Sequence, residues 1–312
     1  MNDLSLTASL PEPDGILLVD KPAGMTSHDV VYKVRKLYGT RKVGHTGTLD
    51  PLATGVLVVL LGRAAKASEY VSHDEKSYEA VLRLGLTTDT EDTTGRILSV
   101  VPSGRLPEDA AVEAVLPRFR GVILQVPPMY SALKVDGRKL CDIARQGGTV
   151  ERDARPVEIR RLVRVPGRLP SDHILSVTCS GGTYIRTLCA DIGNALGVGG
   201  VMASLRRTAA GGFDISQCVT LEELNAMDPA GRQGCLLPTE ALFSDLPRLK
   251  LSPFYSGLCR NGCELYQKKL GTDLPLGQRV RLADDQGRFF ALGEIMDFDG
   301  KTAVKMIKLF VL

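Results

Sequence analysis

The sequence predicts an α+β fold: a central, mostly antiparallel mixed sheet flanked by helices, with a small C-terminal β domain. Three observations carry this expectation. Apolar runs of strand length, bounded by Gly, Pro or Asp, are spread along the whole chain. Helical periodicity is confined to separated segments and does not alternate regularly with strands, as it would in a doubly wound sheet. Between residues 277 and 312, short strand-like segments are set apart by Asp-Gly turns or Gly. The chain's 312 residues exceed one typical domain of about 100–150 residues. The expected division is a loose leader at 1–14 with Pro11 and Pro13, a main domain at 15–246, and the terminal β domain at 247–312, where Pro247 and Pro253 mark the change.

Taken in order, GILLVD (15–20) is a short apolar strand ending at Lys21-Pro22. Ser27 is placed to cap a helix running to about Tyr38, with Val30, Val34 and Leu37 at helical spacing and Lys33 and Lys36 on the wet face. GVLVVLLG (55–62) reads as a buried strand. KSYEAVLRLG (76–85) alternates Tyr78, Ala80, Leu82 and Leu84 against Glu79, Val81 and Arg83, which is strand periodicity. TTDTEDTTG (87–95) is a turn-rich loop, and 108–116 and 137–146 read as helices. Residues 157–165 and 173–180 form a strand pair, and Thr183 to Leu196 is a helix following Gly181-Gly182. Thr220-Leu-Glu-Glu223 has the spacing of a capping box. In the terminal part, Val280–Leu282, Phe289–Ile295 and Ala303–Val311 are the expected strands.

Composition excludes several classes. Hydrophobic residues at 44% and charged residues at 24% describe a globular chain, not a disordered or coiled-coil one. The longest apolar run, Val56 to Leu61, is far short of the ~18 residues that suggest a membrane span. The first residues are polar and acidic, unlike a signal peptide, so a cytoplasmic protein with no membrane partner is expected. The net charge of +3 permits a nucleic-acid partner without demanding one. Local clusters at Lys33–Lys42 and among the basic residues of Arg118–Arg164 are placed to follow a phosphate backbone, or else to coat a solvated face. The seven cysteines are expected to be reduced and mostly buried. Cys259 and Cys263 lack a second pair, and His28, His45, His73 and His173 are dispersed, so no metal site is expected.

The segment richest in chemistry is Gly44-His-Thr-Gly-Thr-Leu-Asp50-Pro-Leu-Ala-Thr-Gly55. Pro51 drives Asp50 out of the helical region, into an extended or turn conformation. A carboxylate on such a loop can be a nucleophile, a general base or simply the start of a turn. Gly39-Thr-Arg-Lys-Val-Gly44 has the glycine spacing of a phosphate loop, but His45-Thr46 stands where Lys-Ser/Thr is required, which argues against nucleotide hydrolysis. No GxSxG elbow is present. Gly181-Gly-Thr-Tyr-Ile-Arg186 leads into a helix start, and an Arg opposite Asp50 would orient that carboxylate and keep it ionised. Tyr78 offers a ring for stacking on a base. Leu205-Arg206-Arg207 is either a substrate wall with a phosphate contact or a strand end.

Taken together, these segments resemble the TruB-type tRNA pseudouridine synthases of bacteria. The resemblance rests on Leu18-Val-Asp-Lys-Pro-Ala-Gly24, Gly44 to Gly55, Lys76-Ser-Tyr78, Arg83-Leu-Gly-Leu-Thr-Thr-Asp89-Thr, Met129-Tyr-Ser-Ala-Leu-Lys134, Ala144-Arg-Gln-Gly147, Gly182-Thr-Tyr-Ile-Arg186 and Leu205-Arg206-Arg207, in family order over about residues 15–210. It implies the pseudouridine synthase fold with a C-terminal PUA-like RNA-binding domain. It implies isomerisation of one uridine, position 55 in tRNA numbering, in the T-loop of tRNA. No cofactor, metal or partner protein is required, and the enzyme is expected to be a monomer. Carried onto this chain, the resemblance makes Asp50 the catalytic aspartate, Arg186 its basic partner and Tyr78 the ring that stacks on the target base. It makes His45, Tyr184 and Leu205 substrate-binding residues near the flipped nucleotide, and Lys21, grouped with them, a support for the active-site loop. Two alternatives stand beside it: an RNA-guided synthase working with partner proteins, and a tRNA-folding chaperone in which Asp50 does no chemistry.

Overall fold

The computed structural model describes residues 11–71, 75–135, 137–169 and 171–311. Most of the expected leader and His73 lie outside these residues. The main sheet has nine strands. Its path runs Gly15–Lys21, Thr54–Leu61, Gly200–Ala210, Lys76–Leu84, Asp172–Cys179, Arg155–Leu169 and Gly121–Gln125, with Val43–His45 paired to Thr54–Leu61 and Phe213–Asp214 to Gly200–Ala210. Only the step between Thr54–Leu61 and Gly200–Ala210 is parallel, so the sheet is mixed and mostly antiparallel, as expected.

The first two strands of this path read as unbroken apolar runs because both their faces are covered. Leu17, Val19, Leu57 and Val59 pack under the helix Ser27–Tyr38 through Val30, Val31 and Val34. On the opposite face, Ile16, Leu18, Val56 and Val58 pack with Ala64, Ala67, Phe243 and Phe310. The Lys76–Leu84 strand alternates instead, with Tyr78, Ala80, Leu82 and Leu84 buried, and the helix Ile185–Ala195 shares their core through Ile185, Leu188 and Ile192. The capping box at Thr220 is formed, with Glu223 as its reciprocal partner.

Several elements differ from expectation. The strand Gly200–Ala210, in the middle of the sheet, has no counterpart in the sequence reading beyond a strand end at Leu205–Arg207. The edge strand Gly121–Gln125 and the helix Pro253–Arg260 were likewise not legible. Two helices are shorter than expected: 108–116 becomes Asp109–Val115 followed by a 3-10 turn, and 137–146 becomes Leu140–Arg145 after a two-residue ribbon.

The terminal sheet has five strands in the order Arg248–Lys250, Arg279–Ala283, Phe289–Phe298, Lys301–Leu309 and Leu265–Tyr266. It encloses its own core of Leu251, Cys259, Val280, Leu282, Phe290 and Ile295. Phe243, Phe289 and Phe310 join it to the main sheet, with ring centroids 5.6–6.2 Å apart. All seven cysteines are free thiols, but only Cys179, Cys189 and Cys259 are buried, fewer than expected. Among the described residues, no helix is long and apolar enough to cross a membrane.

Candidate active site

The loop between Val43–His45 and Thr54–Leu61 is anchored on both sides of Asp50. Leu49 and Ala53 are buried in the main core. The Ala53 amide donates to the Asp50 carbonyl at 3.0 Å, closing a turn with Pro51 at its second position. Asp50 thus begins an ordinary turn, and that turn is what aims its carboxylate. The helix before it helps. Thr26, not Ser27, caps the helix, in a capping box with Asp29. Ser27 Oγ is therefore free to accept from the Leu49 amide at 2.8 Å and to donate to the Leu49 carbonyl at 3.2 Å.

Asp50 meets Arg186 as expected. Arg186 Nε lies 2.9 Å from Asp50 Oδ2, and Nη2 donates to Oδ1 at 3.3 Å. The rest of the guanidinium is held by the carbonyls of Thr90 at 3.1 Å and Tyr130 at 2.8 Å. The Arg186 side chain is 6% exposed, while that of Asp50 is 33% exposed and opens into a cavity. Burial pushes the Asp50 carboxyl above its ordinary range, Arg186 pulls it back, and nearby Asp92 adds to the rise. The sequence led to the expectation that an Arg opposite Asp50 would keep it ionised. The structure has desolvation outweighing the Arg186 charge, because the loop is packed against the core.

The cavity measures about 330 Å³ and is walled by Asp50, Tyr78, Tyr184, Arg186, Leu205 and Arg207 among others. This is the small end of ligand-site volumes, which run ~300–1,000 Å³. Tyr78 is 8% exposed, and burial raises its phenol above the ordinary value. Tyr184 immediately precedes the helix that carries Arg186. Its backbone is clamped by the buried Gln125 amide, with Tyr184 N to Oε1 at 3.0 Å and Nε2 to the Tyr184 carbonyl at 3.2 Å.

Two expected site residues lie behind this wall. Lys21 is fully buried, and its ammonium donates to the carbonyls of Pro22 at 2.8 Å, Met25 at 2.6 Å and Pro51 at 3.4 Å. Burial lowers its pKa from 10.5 to about 8. It braces the Asp50 turn from beneath. His45 sits on the short strand preceding the loop; burial and Arg207 hold its imidazole below the ordinary value, and its Nδ1 is buried without a hydrogen-bond partner.

Leu205-Arg206-Arg207 resolves into three different roles. Leu205 lines the cavity. Arg206 pairs with Asp20 at 2.7 Å, and Arg207 is 2% exposed and turned to the backbone of the Asp50 loop. The basic residues of 118–164 are also partly committed: Arg164 pairs with Asp109 and Glu113, and Arg160 with Glu75 and Glu158. Sequence reasoning missed Gln125, whose only signal is a lone amide closing an apolar run. The 87–95 segment, expected only as a turn-rich loop, brings the Thr90 carbonyl and Asp92 to the site. Among the described residues, no three His, Cys, Asp or Glu side chains are grouped to hold a metal.

Fold and cavity together define an enzyme that isolates one small group beside a carboxylate–guanidinium pair. Comparison with known proteins says which. The chain matches the model of the TruB family pseudouridylate synthase N-terminal domain over residues 35–185, and that of the tRNA pseudouridylate synthase B C-terminal domain over 186–244. It is 46% identical over 301 residues to a tRNA pseudouridine synthase B of Ectopseudomonas mendocina, covering 94% of this chain and 95% of that one. A protein of the same name from Burkholderia mallei is 44% identical over 89% of this chain and 92% of its own length. A solved Cbf5–Nop10–Gar1 complex contains a chain that superposes with a TM-score of 0.73 at 27% identity, covering 96% of this chain and 85% of that one. The chain belongs to the TruB family of pseudouridylate synthases, and it is an isomerase.

Proposed function

We propose that this enzyme converts uridine to pseudouridine at position 55 in the T-loop of tRNA, with Asp50 as the catalytic aspartate acting on a flipped-out nucleotide. The observation that carries this is the Asp50 carboxylate, open to a cavity of about 330 Å³ and gripped by Arg186 at 2.9 Å. Relatives covering 94% of the chain bear the name tRNA pseudouridine synthase B, which supports tRNA as the substrate. A neighbour with a TM-score of 0.70 was solved with a substrate RNA containing 2'-deoxyuridine, which fits a site for one uridine-like nucleotide.

The cavity's size suits one nucleotide and not a stacked helix, so the base must leave its stack at a cost of a few kcal/mol. Tyr78 and Leu205 offer the surfaces that replace the lost stacking, and Tyr184 closes the opposite wall. Asp50 acts ionised, as nucleophile or base, and Arg186 holds its two oxygens in one orientation. The glycosidic bond to nitrogen breaks, the uracil turns, and a carbon–carbon bond replaces it. His45 and Lys21 shape the loop on which this geometry depends. The enzyme acts alone as a cytoplasmic monomer, with residues 15–246 carrying the chemistry and 247–312 adding RNA contacts.

Unmodified tRNA labelled with tritium at uridine carbon 5 tests the reading, because that carbon loses its hydrogen only when it becomes the new attachment point. Wild type should release stoichiometric tritium in the presence of chelator. Asp50→Asn should bind the tRNA and fall at least about 10³-fold in rate. Equal release by the two proteins would remove Asp50 from the mechanism. Release from a uridine outside the T-loop would overturn the site assignment.

A further inference from the structure

Arg207 has an environment that the assigned roles leave unexplained. It is the largest of the fully buried side chains and sits on the central strand Gly200–Ala210. The register sets Arg207 beside Gly55 in the neighbouring strand on one side and beside Tyr78 on the other. Gly55 has φ +101°, and a Cβ there would lie 2.2 Å from the Arg207 carbonyl oxygen, so only glycine lets the two strands approach this closely. The guanidinium turns back under the catalytic loop. Nε donates to the Val56 carbonyl at 2.7 Å and Nη2 to the Gly47 carbonyl at 3.1 Å, while Nη1 reaches the Thr48 carbonyl at 3.5 Å.

Burying a guanidinium without a carboxylate partner costs free energy unless several acceptors satisfy it. The three carbonyls that do so all belong to the segment running into and out of the Asp50 turn. Ordinary packing would fill this space with an aliphatic side chain at lower cost. A planar guanidinium places its donors on three separate nitrogens in a fixed fork, so it spans carbonyls on both sides of the turn, whereas a lysine offers its donors from a single point. Arg207 also reaches the cavity wall, where its charge opposes the burial-driven rise of the Tyr78 phenol.

We infer that Arg207 is a positioning residue for the isomerisation: its guanidinium ties the carbonyls of Gly47, Thr48 and Val56 into one rigid cradle, and so sets where Asp50 stands relative to Tyr78. The inference rests on the role proposed for Asp50. The ionisation of Asp50 is governed first by burial and then by Arg186, Asp92 and Lys21, while the Arg207 guanidinium bonds the loop carbonyls. Arg207 therefore acts through geometry, and that distinguishes it from Arg186.

The test uses full-length Arg207→Lys and Arg207→Gln beside wild type, Arg186→Gln and Asp50→Asn, all with carbon-5-tritiated tRNA. Single-turnover rate, tRNA affinity and the pH dependence of the rate are measured for each. A misplacement of the order of 1 Å costs about 10²-fold in rate. Both Arg207 variants should fall by about that much, with tRNA affinity unchanged. Their acid limb should stay where wild type has it, whereas in Arg186→Gln it moves to higher pH. Wild-type rates in either Arg207 variant would overturn the inference. So would a fall in rate that simply tracks lost tRNA affinity, or failure of both variants to fold, since Arg207 would then be a stability element only. If Asp50→Asn itself turned over normally, the proposed function would fail and not merely this inference.

Discussion

The two sheets handle charge in opposite ways. On and around the main sheet, Lys21, Asp92, Arg186 and Arg207 are buried; Lys21 and Arg207 donate to backbone carbonyls, and Arg186 divides its donors between carbonyls and the Asp50 carboxylate. In the terminal sheet, the only buried polar side chains among the described residues are Ser256 and Gln267. Its arginines stay at the surface in pairs such as Arg288–Asp284 and Arg279–Glu294. Both sheets bury aliphatic cores of the same kind. The difference teaches that buried charge here is not a by-product of folding. It is concentrated where a carboxylate must be held at one place, and the terminal sheet, free of that task, avoids the desolvation cost.

Substitutions can break or sharpen this contrast. The largest expected effect is on the apolar joint between the sheets: Phe243→Ala removes the ring that meets Phe289 and Phe310, and should cost about 3–5 kcal/mol in chemical denaturation. A second, separate unfolding transition in that variant would show that the terminal sheet's own core is sufficient. A loss below ~1 kcal/mol would mean the joint is loosely packed.

Next comes Arg186→Gln, expected to slow single turnover by about 10²-fold. In the proposed mechanism Asp50 works as the carboxylate, so the rate should be lost as pH falls through its raised pKa. Arg186 is the largest charge opposing the rise; without it the acid limb should move to higher pH. An unmoved or lowered limb would show that Arg186 only orients the carboxylate.

A smaller effect is expected at Lys21→Met, about 1–3 kcal/mol in stability, because three carbonyls lose their donor. Its pH signature has a definite sign. The folded pKa, about 8, lies below the ordinary 10.5, so between these values the unfolded chain binds more protons and wild-type stability rises with pH relative to the variant. A flat difference across that window would contradict a buried ammonium. Smallest is Arg288→Ala in the terminal sheet. This arginine is 72% exposed, and its loss should change stability by less than about 0.5 kcal/mol. A larger loss would erase the contrast between the sheets.

Much of the fold was legible because particular segments were locally unambiguous. Tyr78, Ala80, Leu82 and Leu84 fall on one buried face, as their alternation requires. Thr220 and Glu223 form the box that their spacing promises. The central strand Gly200–Ala210 was not legible, because GVMASLRRTAA has no aromatic residue, only Val201 and Thr208 as β-branched residues, and two arginines in mid-run. Two irregularities in its pairing with Lys76–Leu84 further break the simple alternation. What makes it a strand is its place between two others. Ser27 was misread for a related reason. Thr26 and Ser27 are chemically equivalent as caps, and only the position of Leu49 decides which hydroxyl does which work.

By itself, the sequence marked out a set of residues that the fold brings to one cavity. Asp50, Tyr78, Tyr184, Arg186 and Leu205 all reach one cavity, and their motifs are local enough to be read from the chain. Tertiary structure alone decided how charge is disposed there: that Lys21 and Arg207 face carbonyls and not solvent, that burial outweighs Arg186 at Asp50, and that Arg206 is spent on Asp20. The physical reason is that strand and turn preferences act over a few neighbouring residues. Desolvation and the fate of a donor depend on groups far apart in the chain, 160 positions between Arg207 and Gly47 and 186 between Arg206 and Asp20, and these meet only when the sheet closes.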